Sequence, residues 1–384
     1  MLKKIITLEW YSLLLCIFST PLFESPKSIF LVITAVLFSI CHFIEKDWKE
    51  ILFIKDPRLG FLALALAAFI SAIFAQKPGL AIHGSFDFLK MYFLFVIVAT
   101  DFLDKKSIKT IALVVIVSTT IGTVWGLSEY SIGKSQAFQL NSVGHVNTSA
   151  TYLALTLTLT VPFLKLLKDN IKKVFILLSA STMLTALIIA GSRAAILAII
   201  VASIVMLIFM KWKKQRTYIF IGATVMGIII LLLISDLSLL KKDTSLSDVS
   251  LLARIKHWEN AWEIFKTHLL FGIGAKHYKF YNPFTGIGKD AHSLYFEIIA
   301  QLGIVGFAAL VLFFYLVAKS IKQSYKKSIL WSVALGAFVV ILVNGIFNPT
   351  LHSEQGLLFA LILALGLNNN YREPSLNKQD YYML

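Results

Sequence analysis

Residues 174–210 read VFILLSASTMLTALIIAGSRAAILAIIVASIVMLIFM. Two apolar runs, 174–190 and 194–210, flank Gly191-Ser192-Arg193, and Arg193 is the one charged residue in the stretch. A helix needs about 20 mostly apolar residues to cross a bilayer core. Each run approaches that length, and a three-residue link allows only a tight turn between them. The stretch therefore predicts a helical hairpin in a membrane with a guanidinium held at its tip.

Working outward, further apolar runs fall at 5–20, 28–44, 59–75, 86–100, 110–127, 148–164, 217–235, 292–318, 328–347 and 354–367, twelve in all with the central pair. Hydrophobic residues make up 58% of the 384 and charged residues only 15%, against about 25% charged in a soluble domain. Mean hydropathy is +0.78. This balance excludes an ordinary soluble enzyme and a disordered chain. Cys16 and Cys41 both sit in apolar runs, which argues against a disulfide framework or a zinc site. The expected fold is an all-α polytopic membrane protein with about 12 transmembrane helices, its basic N-terminal start reading as an uncleaved first helix.

Orientation follows from the bias of Lys and Arg toward cytoplasmic loops. With the N-terminus inside, the segments 1–4, 45–58, 101–109, 165–173, 211–216, 319–327 and 368–384 hold 23 basic residues, and the short external loops hold four: Lys27, Lys77, Lys134 and Arg193. The net charge of +15 is thus largely topological, and nucleic acid is not an expected partner. An even number of spans puts both termini in the cytoplasm. The organisation reads as spans one to nine over 1–235, a large external loop at 236–291, spans ten to twelve over 292–367, and a tail at 368–384.

Long translocated loops escape the charge bias, and loops of this length are often functional. Within 249–268, Leu252, Ile255, Trp258, Trp262 and Phe265 recur at helical spacing. An amphipathic helix on the external membrane face is expected there, ended by Gly272-Ile273-Gly274.

The spans carry few charges, Lys90 and Glu297 being the clearest, and both fall toward the external face. An ion-coupled transporter more often shows acidic groups at mid-membrane. Polar candidates gather at the external ends instead. Arg193 either anchors two helix ends by snorkelling or clamps an anion, since its planar fork of donors matches phosphate oxygens. Arg254, near His257, Trp258 and Trp262, either meets lipid headgroups or supplies a second phosphate contact. His292 lies at the entry to span ten with Asp290 as a plausible N-cap. The positive helix end favours its neutral imidazole, which could accept a proton. His145 and Asn147 could bind sugar hydroxyls or cap a helix, Lys90 and Lys289 could add positive field, and Tyr295 could stack on a sugar. No phosphate-binding glycine loop, HExxH helix or Asp-x-Asp pair occurs, so a reaction without metal or other cofactor is the simpler expectation.

Four stretches together resemble the O-antigen ligase and O-antigen polymerase superfamily. They are Gly144-His145-Val146-Asn147 through Tyr152-Leu153; Gly191-Ser192-Arg193-Ala194-Ala195; Arg254, Trp258 and the segment ending Gly272-Ile273-Gly274; and Ala291-His292-Ser293 through Gly303-Ile304-Val305-Gly306. In the third, His268-Leu269 stands where a proline is common. The resemblance implies a membrane glycosyltransferase acting outside the bacterial cytoplasmic membrane. Its donor is a glycan on undecaprenyl diphosphate, and the ligases use lipid A–core oligosaccharide as acceptor in lipopolysaccharide biosynthesis. It further implies inverting, metal-independent transfer, with Arg193 and Arg254 on the diphosphate and His292 activating the acceptor hydroxyl. His257, with Lys90, His145, Asn147, Lys289 and Tyr295, completes the expected substrate-binding set. A ligase is favoured, a polysaccharide polymerase of the same superfamily follows, and a flippase for lipid-linked sugar is the alternative of a different class.

Overall fold

The computed structural model describes residues 2–47, 51, 56–209, 245–281, 290–325 and 330–367. Among these residues every long element is an α-helix. They are α1 (Leu2–Ser19), α2 (Glu24–Glu45), α3 (Pro57–Ile73), α4 (Pro78–Asp101), α5 (Lys105–Ser131), α6 (Val146–Leu164), α7 (Asn170–Ala190), α8 (Arg193–Phe209), α9 (Ser245–Thr267), α10 (Leu294–Ser324), α11 (Trp331–Asn344) and α12 (Ser353–Gly366). A helix occupies each expected apolar run except the ninth, 217–235, which lies outside the described residues, as do Lys289 and the tail.

Five helices, α2, α4, α5, α7 and α10, are long and apolar enough to cross a membrane, and α3, α8, α11 and α12 are apolar but shorter. Their outward faces are apolar too. Helix α7 shows Ile171, Val174, Leu177 and Leu178 to its surroundings, and α2 shows Ile29, Val32, Val36 and Phe43. Leaving such side chains in water costs about 1.5–3 kcal/mol each, whereas lipid tails accept them freely. The architecture is consistent with a polytopic membrane protein.

Local sequence fixes the helix ends. Asp56 caps α3 by accepting the Arg58 N–H, with Pro57 at the first helical position. Asp104 accepts from Lys106 and Ser107 at the start of α5, and Asp169 from Ile171 at the start of α7. Gly191 closes α7 in the left-handed conformation (φ 66°), so the expected hairpin tip forms and Arg193 opens α8. The buried core centres on Phe61, Phe313 and Phe359, with the Phe61 and Phe313 rings 4.5 Å apart where α3 meets α10.

Span ten, expected as a continuous run from 292, begins at Leu294 and is interrupted at Gly303 (φ 64°, ψ −159°). In a regular helix the Ile304 and Val305 N–H groups would bond to the Ala300 and Gln301 carbonyls. Here they donate to Leu269 (2.9 Å) and Leu270 (3.3 Å) instead. The released Ala300 carbonyl accepts from Ile273 N–H (3.1 Å), and that of Gln301 accepts from Gly274 N–H (2.9 Å) and the Ser71 hydroxyl (2.7 Å). The segment Leu269–Gly274 therefore fills the gap and pairs these four backbone groups. In hydrocarbon each unsatisfied group would cost several kcal/mol. Any Cβ on Gly303 would collide with the Leu270 backbone, and any Cβ on Gly272 with that of Gln301. Helix α9 ends at Thr267, before the Gly272-Ile273-Gly274 stretch expected to stop it, and that stretch docks into another helix.

Two other expectations change. Ser293, not Asp290, occupies the N-cap position of α10, because the backbone at Ser293 is extended and its hydroxyl donates to Gly345. Charges within helices are also more numerous than Lys90 and Glu297. Lys27 in α2, Asp87 in α4 and Glu354 in α12 are all buried, each compensated by a partner from another element.

Candidate active site

Three helix N-termini meet at one end of the bundle. His145 caps α6, its Nδ1 accepting the Asn147 N–H at 3.2 Å. The Asn147 side-chain oxygen then accepts from the Ser192 hydroxyl at 2.9 Å, so the start of α6 holds the residue just before Arg193. The end of α11 joins them, since the Asn344 amide donates to the Thr151 hydroxyl on α6. The start of α10 is tied to the same place by Leu294 N–H donating to the Gly345 carbonyl at 2.8 Å. Helix N-termini carry partial positive charge and unpaired N–H groups, so their convergence favours an anion.

Helix α9 closes this end. Its buried face consists of His257, Asn260, Ala261 and Ile264, and Ala261 and Ile264 pack in a small core with Ile273, Tyr278, Ala291 and Ala300. Much of the apolar stripe noted in the sequence points the other way: Leu252, Ile255 and Trp262 are exposed. That leaves the helix with an apolar outer strip suited to a membrane interface. Trp258 stacks on Phe296 of α10, centroids 5.4 Å apart and planes within 9°. The Tyr278 hydroxyl donates to the His257 carbonyl at 2.6 Å, and burial pushes its pKa up to about 12, so it remains a donor. Asn260 in turn donates to that hydroxyl at 3.3 Å.

These contacts bring the chemistry together. The His257 ring lies 5.3 Å from the His292 ring, edge to face. The Arg254 guanidinium stands 6.0 Å from the Phe347 ring, just beyond α11. Burial, and then the neighbouring charge of Arg193, hold Arg254 below its ordinary pKa. Burial also drives His292 down to about 4; His257, Arg254 and His145 push the same way and Asp290 opposes them. Arg193, Arg254, His257, His292 and His145 therefore share one electrostatic neighbourhood, with Asn147 attached through Ser192. His292 holds a positive φ of 51°, uncommon for a residue with a Cβ and characteristic of functional positions.

Two expected substrate residues stand elsewhere. Tyr295 packs toward Phe314 and its hydroxyl donates to the Leu342 carbonyl at 2.9 Å, joining α10 to α11. Lys90 lies on α4 and pairs with Asp87 at 3.2 Å. Sequence reasoning did not single out Asp87 or Lys276, whose ammonium lies 2.7 Å from the same carboxylate. Lys276 too has a positive φ, 61°, but no local pattern marks its partner on α4. Glu354, which opens α12, forms a buried ion pair with Lys27. At the opposite end of the bundle His42, Glu45 and Asp47 place potential metal-ligand atoms within 4.8 Å of one another.

No curated protein matches the chain as a whole sequence. Residues 178–311, about a third of the chain, match the family model described as O-antigen ligase, and that stretch contains Arg193, Arg254 and His292.

Proposed function

We propose that this chain is an integral-membrane glycosyltransferase of the O-antigen ligase type. It moves a glycan from undecaprenyl diphosphate to a hydroxyl of lipid A–core oligosaccharide on the periplasmic side of the inner membrane. In this reading the chain crosses the membrane twelve times, both termini are cytoplasmic, and the region around α9 is periplasmic. What supports it is that Arg254 on α9 lies within electrostatic reach of both Arg193 at the start of α8 and His292 just before α10.

A lipid diphosphate is already an activated donor, so no nucleotide is required. The acceptor oxygen forms a bond to the anomeric carbon as the bond from that carbon to the phosphate oxygen breaks, with inversion. The acceptor proton passes to His292, and the electron pair leaves on the diphosphate. General-base assistance contributes roughly 10²–10⁴-fold. Arg193 and Arg254 meet the charge that grows on the leaving group, and such preplaced contacts contribute about 2.7–4 kcal/mol each. His292 rests neutral and is a weak base chiefly because it is buried, with His257 and, less, Arg254 adding to the effect. A diphosphate bound beside the imidazole adds negative charge that favours its protonated form and makes it more basic, so proton abstraction follows donor binding.

The test is reconstitution of the full chain with an undecaprenyl-diphosphate-linked glycan and purified lipid A–core. A product joining glycan to core supports the ligase. Lengthened lipid-linked glycan assigns a polymerase instead. Movement of the donor across the bilayer without consumption of any acceptor assigns a flippase and overturns the enzyme reading.

A further inference from the structure

Two helix C-termini meet at the end of the bundle opposite the candidate active site. Helix α2 finishes at Glu45, and Lys46 caps it in the left-handed conformation (φ 60°), its N–H donating to the His42 carbonyl at 3.0 Å. That tight turn carries Asp47 back beside the last turn of α2. His42 and Glu45, three residues apart, share one face of that turn. Helix α4 ends at Asp101 next to them. His42 Nδ1 lies 2.8 Å from Asp47 Oδ1 and 3.7 Å from Glu45 Oε2, and His42 Nε2 lies 3.1 Å from Asp101 Oδ2.

The imidazole is almost inaccessible, with 1% of its side chain exposed, and Asp101 keeps 6%, whereas Glu45 and Asp47 keep 23% and 32%. The ring is therefore held from within, and two carboxylates open toward its surroundings. With Nε2–H donated to Asp101, the Nδ1 lone pair points at Glu45 and Asp47. All three are then electron-pair donors, so a positive centre belongs among them, either a proton or a metal ion. An ion about 2.1 Å from each donor sets the donors roughly 3.0–3.4 Å apart, for right-angled and tetrahedral arrangements respectively. The observed 2.8 and 3.7 Å bracket that span. A carboxylate behind the imidazole is the arrangement that fixes the tautomer of a metal-binding histidine and raises its basicity. The negative C-terminal end of α2 adds to the attraction for a cation.

We propose that His42, Glu45 and Asp47 bind a divalent transition-metal ion, zinc in the first place, with Asp101 as the positioning residue behind His42. A neutral imidazole and two carboxylates balance the charge of a dication, and three protein donors leave a position for water. The nitrogen donor disfavours calcium and magnesium, which prefer oxygen. His42 and Glu45 end α2, Asp47 belongs to the segment that follows, and Asp101 ends α4. The ion thus clasps these elements together, far from Arg193, Arg254 and His292. Its role is structural, so the site is independent of the glycosyltransferase reading above.

The experiment uses the full chain in detergent micelles, stripped with chelator and dialysed. Zinc is titrated by calorimetry in excess magnesium, and bound metal is counted by elemental mass spectrometry after gel filtration. The unaltered protein is expected to hold one zinc per chain more than His42→Gln or Asp47→Asn. Asp47→Asn alters a partly exposed side chain, and an unchanged gel-filtration profile separates its loss of zinc from a loss of fold. Asp101→Asn is expected to weaken binding roughly 10–100-fold with the stoichiometry kept. Zinc is also expected to raise the thermal midpoint of the unaltered protein but not that of Asp47→Asn, because an ion held only by the folded state stabilises it. Equal zinc content in the unaltered protein, His42→Gln and Asp47→Asn overturns the proposal, since other histidines then account for the binding. Displacement of the zinc by magnesium overturns it as well, and an unchanged affinity in Asp101→Asn overturns the role given to Asp101.

Discussion

The imidazoles of His257 and His292 meet edge to face, with 66° between their planes and 5.3 Å between their centres. His257 belongs to α9 and His292 to the entry of α10, so the contact links the surface arm to the helix that supplies the proposed base. His257 is buried, and Tyr278 holds its backbone from the other side. Replacing His257 by Phe preserves a ring but removes a group that depresses His292. Glycan transfer is expected to fall by less than the roughly 10²–10⁴-fold of losing the base itself, and the acid limb of the pH profile is expected to move upward. An unchanged pH profile would show that the two rings are not coupled.

Removal of the base itself is more severe. His292→Ala is expected to reduce transfer by roughly 10²–10⁴-fold, with membrane insertion and abundance unchanged, as read by product formation against quantitative immunoblotting.

The pH dependence has a defined sign. His292 must be neutral to accept a proton, and its pKa of about 4 leaves it neutral at pH 7. For the free enzyme, measured as kcat/KM, activity is lost only as pH falls through about 4. With donor bound, the negative diphosphate beside the imidazole favours its charged form, so the limb of kcat is expected at higher pH. Coincident limbs for the two parameters would contradict donor-dependent basicity.

Arg193→Lys keeps the charge and loses the planar fork. Loss of about 2.7–4 kcal/mol of transition-state stabilisation corresponds to roughly 10²–10³ in kcat. Steady-state kinetics with saturating donor separates this from weakened binding. Ser192→Ala, which removes only the link to Asn147, is expected to cost far less.

Gly303→Ala tests the break in α10. It combines a left-handed backbone with a collision against Leu270, and the expected destabilisation is on the order of 3 kcal/mol. A shortened half-life in detergent at fixed temperature would report it, and a half-life equal to that of the unaltered protein would refute the account of the break.

The helices were legible because apolar runs and their polar punctuation are local properties of the chain. Gly191 and Asp169 mark their own helix ends, and Arg193 announces itself as a lone charge between two runs. The relationship between Asp87 and Lys276 was not legible. The two residues are far apart in sequence, and their pairing depends on how the segment after Gly274 packs against α4. The break in α10 was hidden for the same reason. Gly303 could be noticed as a glycine, but only the carbonyls of Leu269 and Leu270 make an interruption there affordable. The apolar stripe of α9 was visible in the sequence, whereas its direction was set by the opposite face, where His257, Ala261 and Ile264 find the better-packed partners.

The docking of Leu269–Gly274 into α10 also imposes an order on biogenesis. The segment is synthesised before α10, so its amides and carbonyls gain these partners only after that later helix has formed and opened at Gly303. Arg254 and His257 reach their final places only with that event. The centre is therefore completed by the arrival of the downstream helix, and a ribosome stalled before Leu294 would leave the two residues without their counterpart.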